Sequence, residues 1–297
     1  MKWNRNLETF LGCDKEYAEA RVALFGAPFD STTSFRPGAR FGPRAMRAES
    51  WGLETYSPYQ DRDMEETAVF DGGDLELPFG SPEMALSQLE AYTDELVKDG
   101  KRPCLLGGEH LVTLGALRAV LKRYPDLHIL HFDAHTDLRA DYLGAPLSHA
   151  CVMRRAWELT GDGRIHQFGV RSGEKSEFVW AKAHTDMHPF GLQGLAETVL
   201  RLAGLPVYLT IDLDVLDPAC FPGTGTPEPG GLGFSQLMEA VIGLGGLQIV
   251  GCDLVELAPM LDPSGISAAA ACKILRELLL AMDGGSRQKE GPLWERR

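Results

Sequence analysis

Apolar residues fall along this chain in two recurring patterns. Short continuous runs occupy residues 21–26, 66–70, 103–107, 127–132, 165–170, 206–213 and 247–254. Between them lie longer stretches, at 43–50, 82–99, 111–124, 149–159, 175–183, 192–202, 236–244 and 267–282, where apolar side chains return every three or four residues. The first pattern predicts strands covered on both faces, and the second predicts helices with one buried stripe. Their regular alternation implies βαβ units, hence an α/β fold of three layers (αβα) around one central parallel sheet. No stretch reads as a linker. The Pro/Gly-rich segment 220–232 is short and the alternation resumes after it. Residues 1–297 are therefore expected to form one domain, with a core over about 20–282 and a Gly- and charge-rich tail, 283–297, that frays.

In open parallel sheets, ligands gather beyond the carboxyl ends of the strands. Three of the predicted strands end in unusual polar residues. The run from Pro103 leads into Gly107-Gly108-Glu109-His110, and the run from Leu127 into Asp133-Ala134-His135-Thr136-Asp137. The run from Pro206 leads into Asp212-Leu213-Asp214-Val215-Leu216-Asp217-Pro218. Residues i and i+2 of extended chain point the same way, so Asp133 can face one point with His135, and Asp212 with Asp214. Burying so many carboxylates together requires cations, and a single divalent ion would not neutralise them. A two-metal site follows. Imidazole and carboxylate without thiolate suits manganese, with iron, cobalt, nickel or zinc as alternatives.

Composition narrows the partners. With 29 Lys and Arg against 42 Asp and Glu the formal net charge is −13, which disfavours nucleic acid and favours small cationic substrates. No apolar run is long enough to span a bilayer, and the start of the chain lacks the apolar core of a secretory signal, so a cytoplasmic protein without a membrane partner is expected. The six cysteines form no CxxC pair and are expected to be free thiols.

Together the three strand ends resemble the signatures of the ureohydrolases, the family of arginase and agmatinase, and most of all the bacterial and archaeal agmatinases. Gly107–His110 is similar to a Gly-Gly-Asp/Glu-His motif, Asp133–Asp137 to DAHxD, and the segment from Thr210 to Pro218 to SxDxDxxDP, with Thr210 in place of serine. The resemblance covers about residues 20–280 and implies an arginase/deacetylase-like fold. It further implies two Mn2+ per subunit: one held by His110, Asp137 and the bridging pair Asp133 and Asp212, the other by His135, Asp214 and the same bridges. A water or hydroxide between the metals would attack the guanidinium carbon, with Asp137 relaying the first proton. Glu256 would bind the guanidinium, though the usual Glu-Val-Asn-Pro reads Glu256-Leu257-Ala258-Pro259 here. His149 matches the family's proton shuttle and, at a helix start facing the cleft, is expected to keep its ordinary pKa near 6.5. Thr226, in the Gly-rich segment 223–231, would line the guanidinium pocket. Arg36 and Arg40, in the segment 35–43, read as structural or intersubunit. His128, His131, His166, His184 and His188 match no family role and read as structural or surface residues.

The loop after DAHxD, residues 138–147, lacks the Asn- and Ser-rich character of arginase and is similar to the agmatinase version. The implied reaction is agmatine plus water giving putrescine and urea, a step in polyamine biosynthesis. Asp141 or Glu174 could receive the distal amine. The rival substrates are 4-guanidinobutyrate, aminopropylagmatine and arginine; a zinc deacetylase and a non-catalytic binding protein are the other readings. Family members form trimers or hexamers, so a homo-oligomer is expected.

Overall fold

The computed structural model describes residues 8–283. Its elements are β1 (Val22–Ala27), α1 (Gly42–Ser50), β2 (Tyr56–Ser57), β3 (Arg62–Asp63), β4 (Val69–Asp74), α2 (Pro82–Lys98), β5 (Arg102–Gly107), α3 (Thr113–Arg123), β6 (His128–Phe132), α4 (Val152–Thr160), β7 (Ile165–Phe168), α5 (Lys175–His184), β8 (Asp186–His188), α6 (Leu195–Arg201), β9 (Pro206–Asp212), α7 (Phe234–Gly243), β10 (Gln248–Val255) and α8 (Ile266–Asp283). All seven expected strands and all eight expected helices form, with edges shifted by a few residues. The largest shift is at β4, where Glu66 instead closes a short 3-10 turn and the strand runs on to Asp74. The three short strands β2, β3 and β8 were not expected, because two or three mostly polar residues carry no run.

Eight strands pair in the order β4-β1-β5-β10-β9-β6-β7-β8, every pair parallel. Alternate residues feed opposite layers, as the two-residue period of a strand requires. Val22 and Leu24 of β1, Cys104 and Leu106 of β5, and Val207, Leu209 and Ile211 of β9 pack with α7 and α8 on one face. Ala23 and Phe25 of β1, Leu105 of β5 and Tyr208 of β9 pack with α2, α3 and α4 on the other. Three layers follow, as expected.

The strand order places the chemistry. After β5 the chain passes over two empty positions to build β6, and only later do β9 and β10 fill them. The four strands whose ends carry candidate residues thus stand side by side at the centre of the sheet, where connections leave in opposite directions and open a crevice.

A buried ion pair ties the edge of the sheet to its first helix. Arg47 of α1 meets Asp71 of β4 at 2.8 Å and also pairs with Asp74. The carboxylate of Asp71 accepts a further bond from the Phe10 amide. At the other terminus Asp283 is buried and receives Arg21, Arg62 and the Ala68 amide, so this residue closes the core; the rest of the tail expected to fray lies outside the described residues. All six cysteines are free thiols, five of them buried, and among the described residues no helix is long and apolar enough to cross a membrane.

Candidate metal centre and guanidinium pocket

β5 ends in a turn that leaves no room for a side chain. A Cβ on Gly108 would lie 2.0 Å from the Phe29 carbonyl oxygen, so only glycine lets the two backbones approach. The turn delivers His110 to the floor of the crevice, almost fully buried. Its Nε2 lies 2.9 Å from Thr210 Oγ1, and that hydroxyl donates to Asp253 Oδ1 at 2.6 Å. Asp253 is fixed in turn by the Tyr208 hydroxyl at 2.8 Å. With the Thr210 proton committed to Asp253, its oxygen accepts from His110 Nε2–H. The lone pair of His110 Nδ1 is therefore free. Nδ1 is buried without a hydrogen-bond partner, and three carboxylate oxygens face it: Asp133 Oδ2 and Asp137 Oδ2 at 3.2 Å and Asp212 Oδ2 at 3.3 Å.

A second group of donors adjoins the first. His135 Nδ1 lies 3.1 Å from Asp214 Oδ2 and 3.5 Å from Asp133 Oδ1. Backbone amides orient the acids: His135 N–H donates to Asp133 Oδ1 at 2.6 Å, Ala134 N–H to Asp214 Oδ1 at 3.2 Å, and Asp214 N–H to Asp212 Oδ1 at 2.9 Å. Ligands at right angles around an ion, each about 2.1–2.2 Å away, sit about 3 Å from one another. The separations around His110 and His135 match that spacing, and Asp133 belongs to both groups. These donors fit divalent cations.

The electrostatics agree. Burial and the Asp133 charge raise Asp137 to about 7, and burial with Asp214 and Asp133 pushes Asp212 well above the carboxylate range. Asp133 goes the other way: against burial, the His131, His110 and His135 imidazoles hold it well below that range. Neighbouring carboxylates that penalise one another's ionisation are relieved by positive charge between them.

His131 stands within ligand distance of His110 and Asp133, yet its hydrogen bonds assign it a different task. The Gln167 amide donates to His131 Nδ1 at 3.1 Å, which places the ring proton on Nε2, 2.8 Å from Asp133 Oδ2. His131 thus holds Asp133 in place, as histidine–carboxylate partners around metal ligands do. It is structural, as expected, but at the site itself. His128 and His166 join through their rings at 3.0 Å beside Asp186, and His184 bonds Asp162, all away from the crevice.

Glu256 follows β10 with φ +67°, and Asp137 follows β6 with φ +51°. Both are left-handed, a conformation non-glycine residues hold only when their surroundings impose it. For Glu256 the constraint is visible: its amide donates to the Gly108 carbonyl at 2.9 Å, and its Oε1 accepts from the His110 amide at 2.8 Å. Burial pushes its carboxyl well above the usual range. The departure from Val-Asn is accommodated by packing: Leu257 and Ala258 are buried, and the Leu257 carbonyl oxygen would lie 2.6 Å from a Cβ on Gly42.

A cavity of about 290 Å³ opens above these residues. Its lining includes His135, Asp137, His149, Asp212, Thr226, Glu256 and Glu174. The structure thus brings Glu174 to the cavity but not Asp141, whose exposed carboxylate accepts from the Gly144 amide within its own loop. Thr226 Oγ1 lies 3.4 Å from Asp214 Oδ2. Two arginines brace the loop that carries it: Arg36 donates to the Thr224 and Gly225 carbonyls at 3.1 Å, and Arg171 to Glu228 and Asp214 carbonyls at 2.7 and 2.8 Å. Arg40 pairs with Asp30. Neither Arg36 nor Arg40 lines the cavity.

His149 lies at the cavity wall, as expected of it, but its pKa differs from the expectation. Burial and then the neighbouring His135 press its imidazolium down to about 4. Its amide donates to Thr32 Oγ1 at 3.1 Å, its Nε2 is 3.3 Å from Ser34 Oγ, and the Thr32 hydroxyl donates to Glu109 Oε1 at 2.6 Å. Burial raises Glu109 to about 7 despite the donors from Thr32. Glu109, Thr32 and Ser34 received no role from the sequence. The polar run Asp30–Ser34 just after β1 was a strand end like the other three, and the same rule applied there would have found it.

Comparison with known proteins adds the lineage. The sequence profile described as "Arginase family" matches residues 20–281. An agmatinase of Bacillus subtilis is 49% identical over 278 residues, 92% of this chain and 96% of that protein. A guanidinobutyrase of Pseudomonas aeruginosa is 36% identical, over 89% of this chain and 86% of its own. A crystal structure of a putative agmatinase from Clostridium difficile superposes with a TM-score of 0.88 at 49% identity, covering 90% of this chain and 99% of the other.

Proposed function

The chain belongs to the arginase family, and from that premise we propose that it hydrolyses agmatine to putrescine and urea with two manganese ions held by His110, Asp133, His135, Asp137, Asp212 and Asp214. It is a ureohydrolase, most similar to agmatinases. The observation that carries the proposal is the unpartnered, buried Nδ1 of His110 facing three carboxylates next to a strained, buried glutamate. When bound, the two cations supply Lewis acidity and bring the pKa of water at the site from 15.7 to about 7.

The protein's own residues supply the rest. A guanidinium is planar, always charged, and offers only N–H donors. Glu256, with one oxygen engaged by the His110 amide, presents the other to that group, and Thr226 and Asp212 bound the same space. Hydrolysis adds the oxygen of water to the guanidinium carbon, breaks the bond to the alkylated nitrogen, and moves both protons of the water to that nitrogen, which leaves as an ammonium. Asp137, at the floor, takes the proton released by the water. His149, steadied by Thr32 and Ser34 on the wall, passes one to the departing amine.

Urea release from agmatine, arginine, 4-guanidinobutyrate and aminopropylagmatine by the manganese-loaded protein tests the proposal. Agmatine is expected to be preferred; a preference for another compound replaces the substrate, and no urea from any of them refutes the function. Arg139 among the cavity-lining residues favours a guanidino acid as the second reading. Two adjacent donor groups, one around each histidine, weigh against a deacetylase with one zinc, and metal stoichiometry decides that point. A cytoplasmic trimer or hexamer belongs to the same proposal, and its mass in solution checks the assembly.

A further inference from the structure

The outer part of the cavity carries one cation and one anion that face each other. Arg139, in the loop after β6, places Nη1 3.3 Å from Glu174 Oε1 at the start of α5. Both residues line the cavity with Tyr142, Ser34 and Ser172, so a substrate tail extending from its floor reaches this pair. The Arg139 side chain is 27% exposed and that of Glu174 58%, and such an ion pair is held together weakly.

The two partners are not equivalent. Without Glu174, Arg139 keeps two other contacts: its Nε lies 3.6 Å from Glu177 Oε2, and its guanidinium carbon sits 4.3 Å over the Tyr142 ring. Glu177 is buried and immobilised by donors from Thr136, Leu138 and Glu174, so it remains in place for Arg139. Glu174 has no charged partner other than Arg139 among the described residues, and otherwise only a long contact of 3.4 Å to the Ser176 hydroxyl. When the pair opens, the arginine keeps protein contacts at Glu177 and Tyr142, whereas the glutamate is left facing solvent and the cavity.

We propose that the Arg139–Glu174 pair selects the charge at the far end of the substrate, releasing Glu174 to bind a terminal ammonium while Glu177 and Tyr142 retain Arg139. This rests on the ureohydrolase reading and deepens it: the pair, and not the metal floor, distinguishes amine-tailed from acid-tailed guanidines. Removing Glu174 leaves an arginine at the mouth with spare donors, a geometry suited to carboxylate. Removing Arg139 leaves an unpaired glutamate.

The test compares kcat and KM of the manganese-loaded wild type, Glu174→Gln and Arg139→Gln on agmatine, 4-guanidinobutyrate and the uncharged 1-butylguanidine. For Glu174→Gln the agmatine-to-guanidinobutyrate ratio of kcat/KM is expected to fall about tenfold or more, the size of a charge-assisted hydrogen bond at a partly wet site. That change should reside mainly in KM, because the tail is remote from the bond that breaks. Arg139→Gln is expected to raise the ratio, and butylguanidine is expected to move less than about twofold in either variant, since it carries no tail charge. Competition by putrescine and by 4-aminobutyrate should shift in the same directions. An unchanged ratio in an active enzyme, or an equal fall for all three guanidines, overturns the selector and leaves the function standing. Wild-type protein inactive on all three overturns both.

Discussion

Replacing Thr210 by valine tests the site where its support is thinnest. The side chains are nearly isosteric, so the change deletes little more than a hydroxyl. That hydroxyl accepts from His110 Nε2 at 2.9 Å and donates to Asp253 Oδ1 at 2.6 Å. In the variant, the His110 N–H is buried without an acceptor and Asp253 loses one of its donors. An orphaned buried polar group costs about 1–3 kcal/mol, so two weakened groups are expected to lower stability by roughly 2–4 kcal/mol. The imidazole also loses the anchor that aims Nδ1 at Asp133, Asp137 and Asp212. Losing such a support around a metal ligand typically weakens metal binding about 10- to 100-fold. Calorimetric titration of the metal-stripped protein with Mn2+ reads the affinity, and thermal unfolding in chelator reads the stability separately. Thr210→Ser is the control: it keeps the hydroxyl and should stay within about threefold of wild type, at the cost of one buried methyl group, about 1 kcal/mol. Mn2+ affinity unchanged in Thr210→Val, or a loss in Thr210→Ser as large as in Thr210→Val, would refute the chain from Asp253 to His110.

Three further outcomes are expected. His149→Ala should lower kcat by about 10²–10⁴ with metal content unchanged, and added imidazole should restore part of the rate; equal turnover would remove His149 from the mechanism. Arg47→Met strands the buried Asp71 carboxylate and should cost about 3–5 kcal/mol in a urea melt, with part of the loss recovered in Arg47→Met/Asp71→Asn. At the start of α8, burial alone would raise the Asp262 carboxyl, but donors from Ser264 and Ser267 hold it down to about 2. A carboxyl depressed in the folded state stabilises above its ordinary pKa near 4 and stops doing so as pH falls toward 2, so the stability gap between wild type and Asp262→Ala should be about 1–2 kcal/mol at pH 6 and close within that window. A gap that persists at pH 2 would show that Asp262 acts by packing and not by charge.

Local pattern determined much of this protein. Among the described residues apolar periodicity located the eight α-helices and the seven longer strands, because burial on one stripe or on two faces leaves a trace in neighbouring residues. The strand-end rule pointed to the three polar segments that carry His110, Asp133, His135, Asp137, Asp212 and Asp214, and two-residue spacing in extended chain let Asp133 with His135, and Asp212 with Asp214, face one point. β8 escaped because Asp186-Met187-His188 is held by pairing to β7, a contact without a signature in three residues of which one is apolar.

What tertiary structure alone decided are relations between residues far apart in the chain. The order β5-β10-β9-β6 sets Glu256 beside His110, and nothing local announces that neighbour. His131 became the support of Asp133 only once Gln167 fixed its tautomer from the adjacent strand. Glu174 was separated from Asp141 in the same way: both are acids near the expected mouth, but one lines the cavity against Arg139 while the other turns back on its own loop. The ordinary pKa expected for His149 failed for the same reason, since burial and the charge of His135 act through space. A sequence records which side chains can do chemistry and which way each strand points them. Burial, tautomer and partner depend on groups brought together by folding, and these tune the chemistry.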